Sequence, residues 1–490
     1  MGIEIASAHF DAQDHQRFAE RLEAQVLALG DCLARPGFGC GERSIGAELE
    51  LYIVGADGFP LHDNLALWAQ AQDPLLTLEL NRYNLEYNLP PFTLAGGGLT
   101  ATENAMREKL AQLAALAAQR QARIVPIGIL PTLRRADFGL GCITDRPRYH
   151  ALVQQLMQLR GSDFLIDING PDPLQLAMSD MTLEGANTSF QVHLRVAPDD
   201  YADSFNALQL VTPLVLALSA NSPGLFGHQL WEETRIPLFK QSIDTRHSQR
   251  HRWHQPARVC FGHGWVRRGA LELFRQAVRL YPPLLPACGP GEASCGAAPE
   301  LAELRLHQGT VWQWNRPVYD AADGGHLRIE MRALPAGPTV IDMVAGAALL
   351  LGLAEGLRGE LADLVPALPF YLAEYNFYRA AKFGLDARLV WPHTRQRGPR
   401  ERALVEVLEE LLPRADDGLA SLGVERAARD RYLGVVERRL AARVNGARWQ
   451  RCFLQRQQAA GRDQAAALGA LLDRYHELSS AGLPVAEWPL

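Results

Sequence analysis

Residues 46–53 read GAELELYI, and their strict alternation decides how the rest of the chain is read. Successive side chains of an extended strand point to opposite faces, so Ala47, Leu49 and Leu51 share one face while Glu48, Glu50 and Tyr52 share the other. Two carboxylates then stand about 7 Å apart on one surface. The pattern recurs three times. YNLEYN at 83–88 sets Asn84, Glu86 and Asn88 against Tyr83, Leu85 and Tyr87. SFQVHLRV at 189–196 sets Ser189, Gln191, His193 and Arg195 against Phe190, Val192, Leu194 and Val196. LRIEMR at 327–332 sets Arg328, Glu330 and Arg332 against Leu327, Ile329 and Met331.

An antiparallel sheet with one solvated face produces the same alternation without any chemistry. Such a face carries Lys, Thr and Ser, whereas these four segments concentrate Glu, Gln, His and Arg with almost no Lys. Hard divalent cations take oxygen ligands, and magnesium is usually held by a few carboxylates together with nucleotide phosphates. Glu48, Glu50, Glu86 and Glu330 supply those oxygens. Arg328 and Arg332 flank Glu330, where their guanidinium forks would neutralise charge on a transferring phosphoryl group. A magnesium-bound nucleotide is therefore the expected ligand. It must bind without a P-loop, because no G-x-x-x-x-G-K-[ST] occurs; the AGGG at 95–98 reads as a loop before a capped helix.

Helical and extended patterns alternate irregularly around these strands. Residues 14–35 read as an amphipathic helix that Pro36 and Gly37 end. Thr100 or Thr102 caps a long helix ending near Arg123, and the strand-like RIVPIGIL follows. Further helices are expected at about 149–159 and 203–219. Residues 281–298, rich in Pro, Gly, Ala and Cys, read as a mobile insertion or lid, and residues 400–476 as almost wholly helical. The division expected is a catalytic domain over 1–395, led in by helical residues 1–40, and a helical C-terminal extension over 396–490.

A composition of 48% hydrophobic and 21% charged residues is that of an ordinary globular protein. The net charge of −6 offers no broad cationic surface for nucleic acid or anionic lipid. Seven scattered cysteines without a Cys-x-x-Cys pair argue against a zinc site or a disulfide framework. No signal-peptide pattern opens the chain, and the apolar stretch around Val340 to Leu353 carries Asp342 and is too short to span a bilayer. The expected home is the cytoplasm, with small molecules as partners, neither nucleic acid nor membrane, and a homodimer as one use of the C-terminal helices.

Six segments in order carry a family resemblance: GAELELYI; RPRY at 146–149; GANTSFQVHLRV at 185–196; LSANSPGLFG at 218–227; ETRIPLFKQSIDTR at 233–246; and LRIEMRALPAGPTVID at 327–342. Together, over about residues 40–395, they resemble the glutamate-cysteine ligase superfamily of the plant and bacterial carboxylate-amine ligase type. The resemblance implies an α+β fold with a glutamine-synthetase-like antiparallel sheet, a concave active-site face, helices outside and a helical C-terminal extension. It implies ATP as co-substrate and two or three Mg2+ ions. Metal ligands would be Glu48, Glu50, Glu86, His193 and Glu330; nucleotide-phosphate contacts would be Gln191, Arg328 and Arg332. Arg148 and Arg235 would meet the substrate carboxylates, with Asn221 and Trp231 as lesser candidates. Glu48, Glu50, Glu330 and Arg332 form the implied catalytic set. Where the family has a further acidic residue, four positions before Glu86, this chain has Arg82, so either Glu79 substitutes or one metal site is lost. The ALPAGPT after Arg332 also departs from the plant-like enzymes, which leaves the acceptor open.

A carboxylate reacts with an amine at neutral pH only after its oxygen becomes a leaving group, so ATP must first form an acyl phosphate. The expected reaction joins L-glutamate to an amine, L-cysteine foremost, as a γ-glutamyl amide. Competing readings are a ligase with another amine acceptor, a guanidino phosphotransferase on the same sheet, and a non-catalytic binding protein.

Overall fold

The computed structural model describes residues 9–246, 256–289, 298–392 and 398–489. Strands β1 (Ser44–Gly55), β2 (Leu76–Leu78), β3 (Asn84–Thr93), β4 (Ala122–Val125), β5 (Phe190–Arg195), β6 (Asn315–Asp320) and β7 (His326–Met331) build one seven-stranded sheet. Its order is β6-β7-β5-β1-β3-β2, with every pairing antiparallel. β1 is central because it is long enough to serve two neighbours on one edge, pairing over Ile45–Leu49 with β5 and over Tyr52–Gly55 with β4. Pro126 follows β4 and cannot donate to the ladder, so the strand expected over RIVPIGIL stops at Val125.

Register carries the sequence pattern into space. Glu50 lies opposite Glu86, and Glu48 lies between Asn88 and Gln191. Glu330 lies between His193 and Arg316. The alternate positions Ala47, Leu49, Leu51, Leu85, Val192, Ile329 and Met331 join one core, which includes residues of α1 (Ala12–Leu33), α2 (Gly98–Ala118), α3 (Pro147–Arg160), α4 (Tyr201–Ser219) and α5 (Val340–Arg358). The α2 helix starts earlier than expected. Gly97, at φ 106°, forms its N-cap, and the Thr102 hydroxyl donates to Gly98 O within the first turn instead of capping. The α5 helix is apolar and long enough to cross a membrane, yet 83% of its most apolar window is buried inside the protein. It is the core helix on which the others pack.

Helices α6 (Leu404–Ser421), α7 (Arg426–Ala442), α8 (Gly446–Ala459) and α9 (Gln464–Ala481) follow. Leu408 of α6 and Val436 of α7 belong to the core under the sheet, whereas Trp449 of α8 and Tyr475 of α9 share a second core with Tyr52, Tyr83 and Val125. Position 395 lies outside the described residues. On either side of it, β8 (Arg388–Trp391) and β9 (Arg400–Ala403) pair antiparallel. RERA has good intrinsic helix propensity, so its extended form reflects tertiary pairing overriding that preference.

Candidate active site

The polar face of the sheet is not a solvated surface. Glu48, Glu86, Gln191, His193 and Glu330 are 8%, 6%, 1%, 7% and 1% exposed. A cavity of about 550 Å³ stands on this face, floored by Glu48, Glu50, Glu86, Gln191 and Arg332. Its walls come from residues 77–80, from Arg146, Arg148 and Tyr149 at the start of α3, and from Met181, Glu184 and Trp312. Leu285, from the expected insertion, also reaches it, while residues 290–297 of that segment lie outside the described residues. A groove of about 610 Å³ beside Glu232 and Arg451 is larger, but it has no comparable group of carboxylates.

One hydrogen-bonded chain runs across the floor. Glu50 accepts from Ser189 N at 2.6 Å and from Gln191 Nε2 at 2.9 Å, and the Gln191 carbonyl accepts from Arg332 Nη1. Arg332 Nη1 also donates to Glu330, whose other oxygen accepts from Arg316 Nε at 2.5 Å. Arg316 is a member that the sequence reading missed. Its signal was the Asp323-Gly324-Gly325 turn, which folds NRPVYD back on LRIEMR as a hairpin and sets Arg316 opposite Glu330.

His193 Nε2 lies 3.0 Å from Glu48 Oε1, and its Nδ1 is buried with no hydrogen-bond partner among the described residues. Ligand atoms of Glu48, His193 and Glu330 all fall within 4.8 Å of one another. Two carboxylates and an imidazole, one of whose nitrogens lacks a partner, fit a divalent cation, and these three residues would hold it. Bound there, the cation would supply charge neutralisation beside the phosphoryl group.

The carboxylates divide into two electrostatic classes. Burial opposes the charge of Glu330, but Arg316, Arg332 and His193 hold its carboxyl down at about 2. Burial together with Glu48 and Glu50 pushes Glu86 up to about 8, and burial with Glu50 does the same to Glu184. Glu79 is raised well above the usual range by burial and by its neighbours Glu86, Glu50 and Glu184. Arg82 is not among the cavity residues, whereas Glu79 is.

These raised groups give a pH prediction. A carboxyl whose folded pKa exceeds its unfolded value adds stability at low pH that is lost as pH rises through the folded pKa. The metal-free protein should therefore lose melting temperature between about pH 5 and pH 8 through Glu86 and Glu184. A divalent cation held at Glu48, whose charge acts on Glu86, would favour ionised Glu86 and release its proton, so magnesium should stabilise the protein more at high pH than at low pH. Melting curves with and without magnesium at both ends of the range test this; an equal magnesium effect would contradict it.

Arg148 lines the cavity with Nε buried and without a hydrogen-bond partner, as a carboxylate ligand would require. Beside it the Arg146 guanidinium sits 5.0 Å from the Trp68 ring centroid. Four other candidates are not among the lining residues, although the charge of Arg235 acts on Glu50. Arg328 pairs at 3.1 Å with Asp320 of the neighbouring strand β6. Arg235 is 2% exposed and bonded to Glu233 and Ala333 O, which makes it a brace for the turn after Arg332. Asn221 is fully buried, donating to Ala336 O and Tyr475 and accepting from Gln450, so it ties α8 and α9 to the sheet. Trp231 donates to Asn169 outside the cavity.

The family pattern makes the chain an ATP-dependent ligase, and the buried ionic sheet face beneath the cavity is where its site residues gather. The chain belongs to glutamate-cysteine ligase family 2, whose family pattern matches residues 1–467. No protein of curated function matches it significantly. Among solved structures it is similar to the glutamate-cysteine ligase of Francisella tularensis in complex with AMP, at 12% identity and a TM-score of 0.47, covering 90% of this chain and 93% of that one. It is also similar to a bifunctional glutathione synthetase from Pasteurella multocida, at 12% identity and a TM-score of 0.45, where 95% of this chain spans 55% of the other.

Proposed function

We propose that the protein uses ATP and magnesium to convert the γ-carboxylate of L-glutamate to an acyl phosphate, then passes the acyl group to L-cysteine, giving γ-glutamylcysteine, ADP and phosphate. The observation that carries this reading is the Glu48–His193–Glu330 cluster, which reaches the cavity through Glu48 and through Arg316 and Arg332, the two partners of Glu330. Arg332 is fixed by Glu330 and Gln191, so its charge is already in place when negative charge develops on the phosphoryl oxygens. Arg148, free of any acidic partner among the described residues, would hold a glutamate carboxylate as a fork. The test is to trap the activated glutamate with hydroxylamine before any amine is supplied, and then to detect γ-glutamylcysteine when cysteine is added.

A further inference from the structure

Activating the acid is half of the reaction. Near neutral pH the acceptor amine is an ammonium ion, and its nitrogen has no lone pair for attack until a proton leaves. The carboxylates of the floor are already engaged. Glu50 accepts from Ser189 and Gln191, Glu86 accepts from Asn88 at 2.7 Å, and Glu330 is clamped by Arg316 and Arg332.

Glu184 differs from them. Its carboxylate lines the same cavity, and no described residue hydrogen-bonds or ion-pairs with it. Glu50 and Arg332 line that cavity too, and the charges of both act on Glu184. Its backbone is held on both sides. Thr182 N donates to Asp180 at 2.9 Å, Asn81 Nδ2 donates to Thr182 O at 2.9 Å, and Asn187 Nδ2 donates to Glu184 O at 2.9 Å. Gly185 packs so tightly that a Cβ there would fall 2.3 Å from Asn81 Nδ2. An unengaged carboxylate on a braced turn is a preorganised partner for a cation that arrives with the substrate.

We infer that Glu184 seats the ammonium group of the acceptor amino acid and takes its proton, so that the free amine can attack the activated carboxyl carbon. This rests on the γ-glutamyl ligase reading. The ammonium charge arriving beside Glu184 favours its ionised form, and that carboxylate accepts one ammonium proton; the nitrogen lone pair then forms the C–N bond as the C–O bond to phosphate breaks. Phosphate leaves with that electron pair and accepts the second proton from nitrogen.

Hydroxylamine separates the two halves, since it is already neutral at the assay pH and needs neither an ammonium seat nor a base. In Glu184→Gln, cysteine-dependent turnover should fall by about 10²-fold, with hydroxamate formation from glutamate, ATP and magnesium close to wild type. Glu184→Asp should recover part of the cysteine turnover, and it carries the same comparison if the Gln variant does not fold. Unchanged cysteine turnover would overturn the inference. So would a parallel loss of both activities, which would assign Glu184 to the donor half. Absence of hydroxamate from the wild-type protein would instead overturn the γ-glutamyl phosphate reading itself.

Discussion

Glu330→Gln is expected to lower ligase turnover by about 10³-fold or more, the largest catalytic loss of any single conservative change at the site. The side chain is 1% exposed and holds Arg316 and Arg332 on its two oxygens, while its register partner His193 faces the same point from β5. Gln preserves shape and volume but removes the negative charge. Both guanidinium groups then lose their shared counter-ion in a buried setting, and the cluster with Glu48 and His193 loses one anionic oxygen. Stability should fall as well, by about 3 kcal/mol, because a buried charge left without its partner is costly. Turnover should be measured well below the melting temperature, with circular dichroism confirming the fold. Near-normal turnover at limiting magnesium would remove the cation cluster from the mechanism.

Asp342→Ala is expected to have the largest effect on stability alone, about 3–5 kcal/mol. Asp342 and Arg439 are both about 1% exposed and lie 3.6 Å apart, joining the first turn of α5 to α7. Asp342 Oδ2 also accepts from Thr339 Oγ1 at 2.6 Å and from Val485 N at 2.9 Å. One substitution therefore removes an N-cap partner, a backbone anchor for the C-terminal turn and the counter-ion of a buried arginine. Asp342→Asn, which retains hydrogen bonding, should lose less. Urea unfolding of the two variants measures the difference. A loss below about 1 kcal/mol for Asp342→Ala would mean that α7 is not held to the core by this pair.

The strands were legible because their chemistry repeats with period two: Glu48, Glu50, Glu86, Gln191, His193 and Glu330 all fall on the face that alternation assigned them. Side chains beyond regular elements were not. Glu184 sits in the short 3-10 turn Thr182–Ala186, where no periodicity marks a face. Arg316 was hidden by the neighbouring Pro317, which weakens the strand signal of NRPVYD. Asn221 and Arg235 show the opposite case, in which tertiary packing engages the side chain. Their motifs match the family, but the fold buries both as braces, Asn221 against α8 and Arg235 behind β7. At Gly446 a Cβ would fall 2.0 Å from Asn221 Oδ1, a closeness that no local pattern reveals.

The central claim is that the cavity converts a carboxylate to an acyl phosphate before any amine arrives. Incubating the protein with ATP, magnesium and L-glutamate in the presence of hydroxylamine measures this directly. The expected result is γ-glutamyl hydroxamate formed with one ADP and one phosphate per product, dependent on magnesium and abolished by Glu330→Gln. A protein that demonstrably binds ATP and glutamate under these conditions yet yields no hydroxamate would contradict the account.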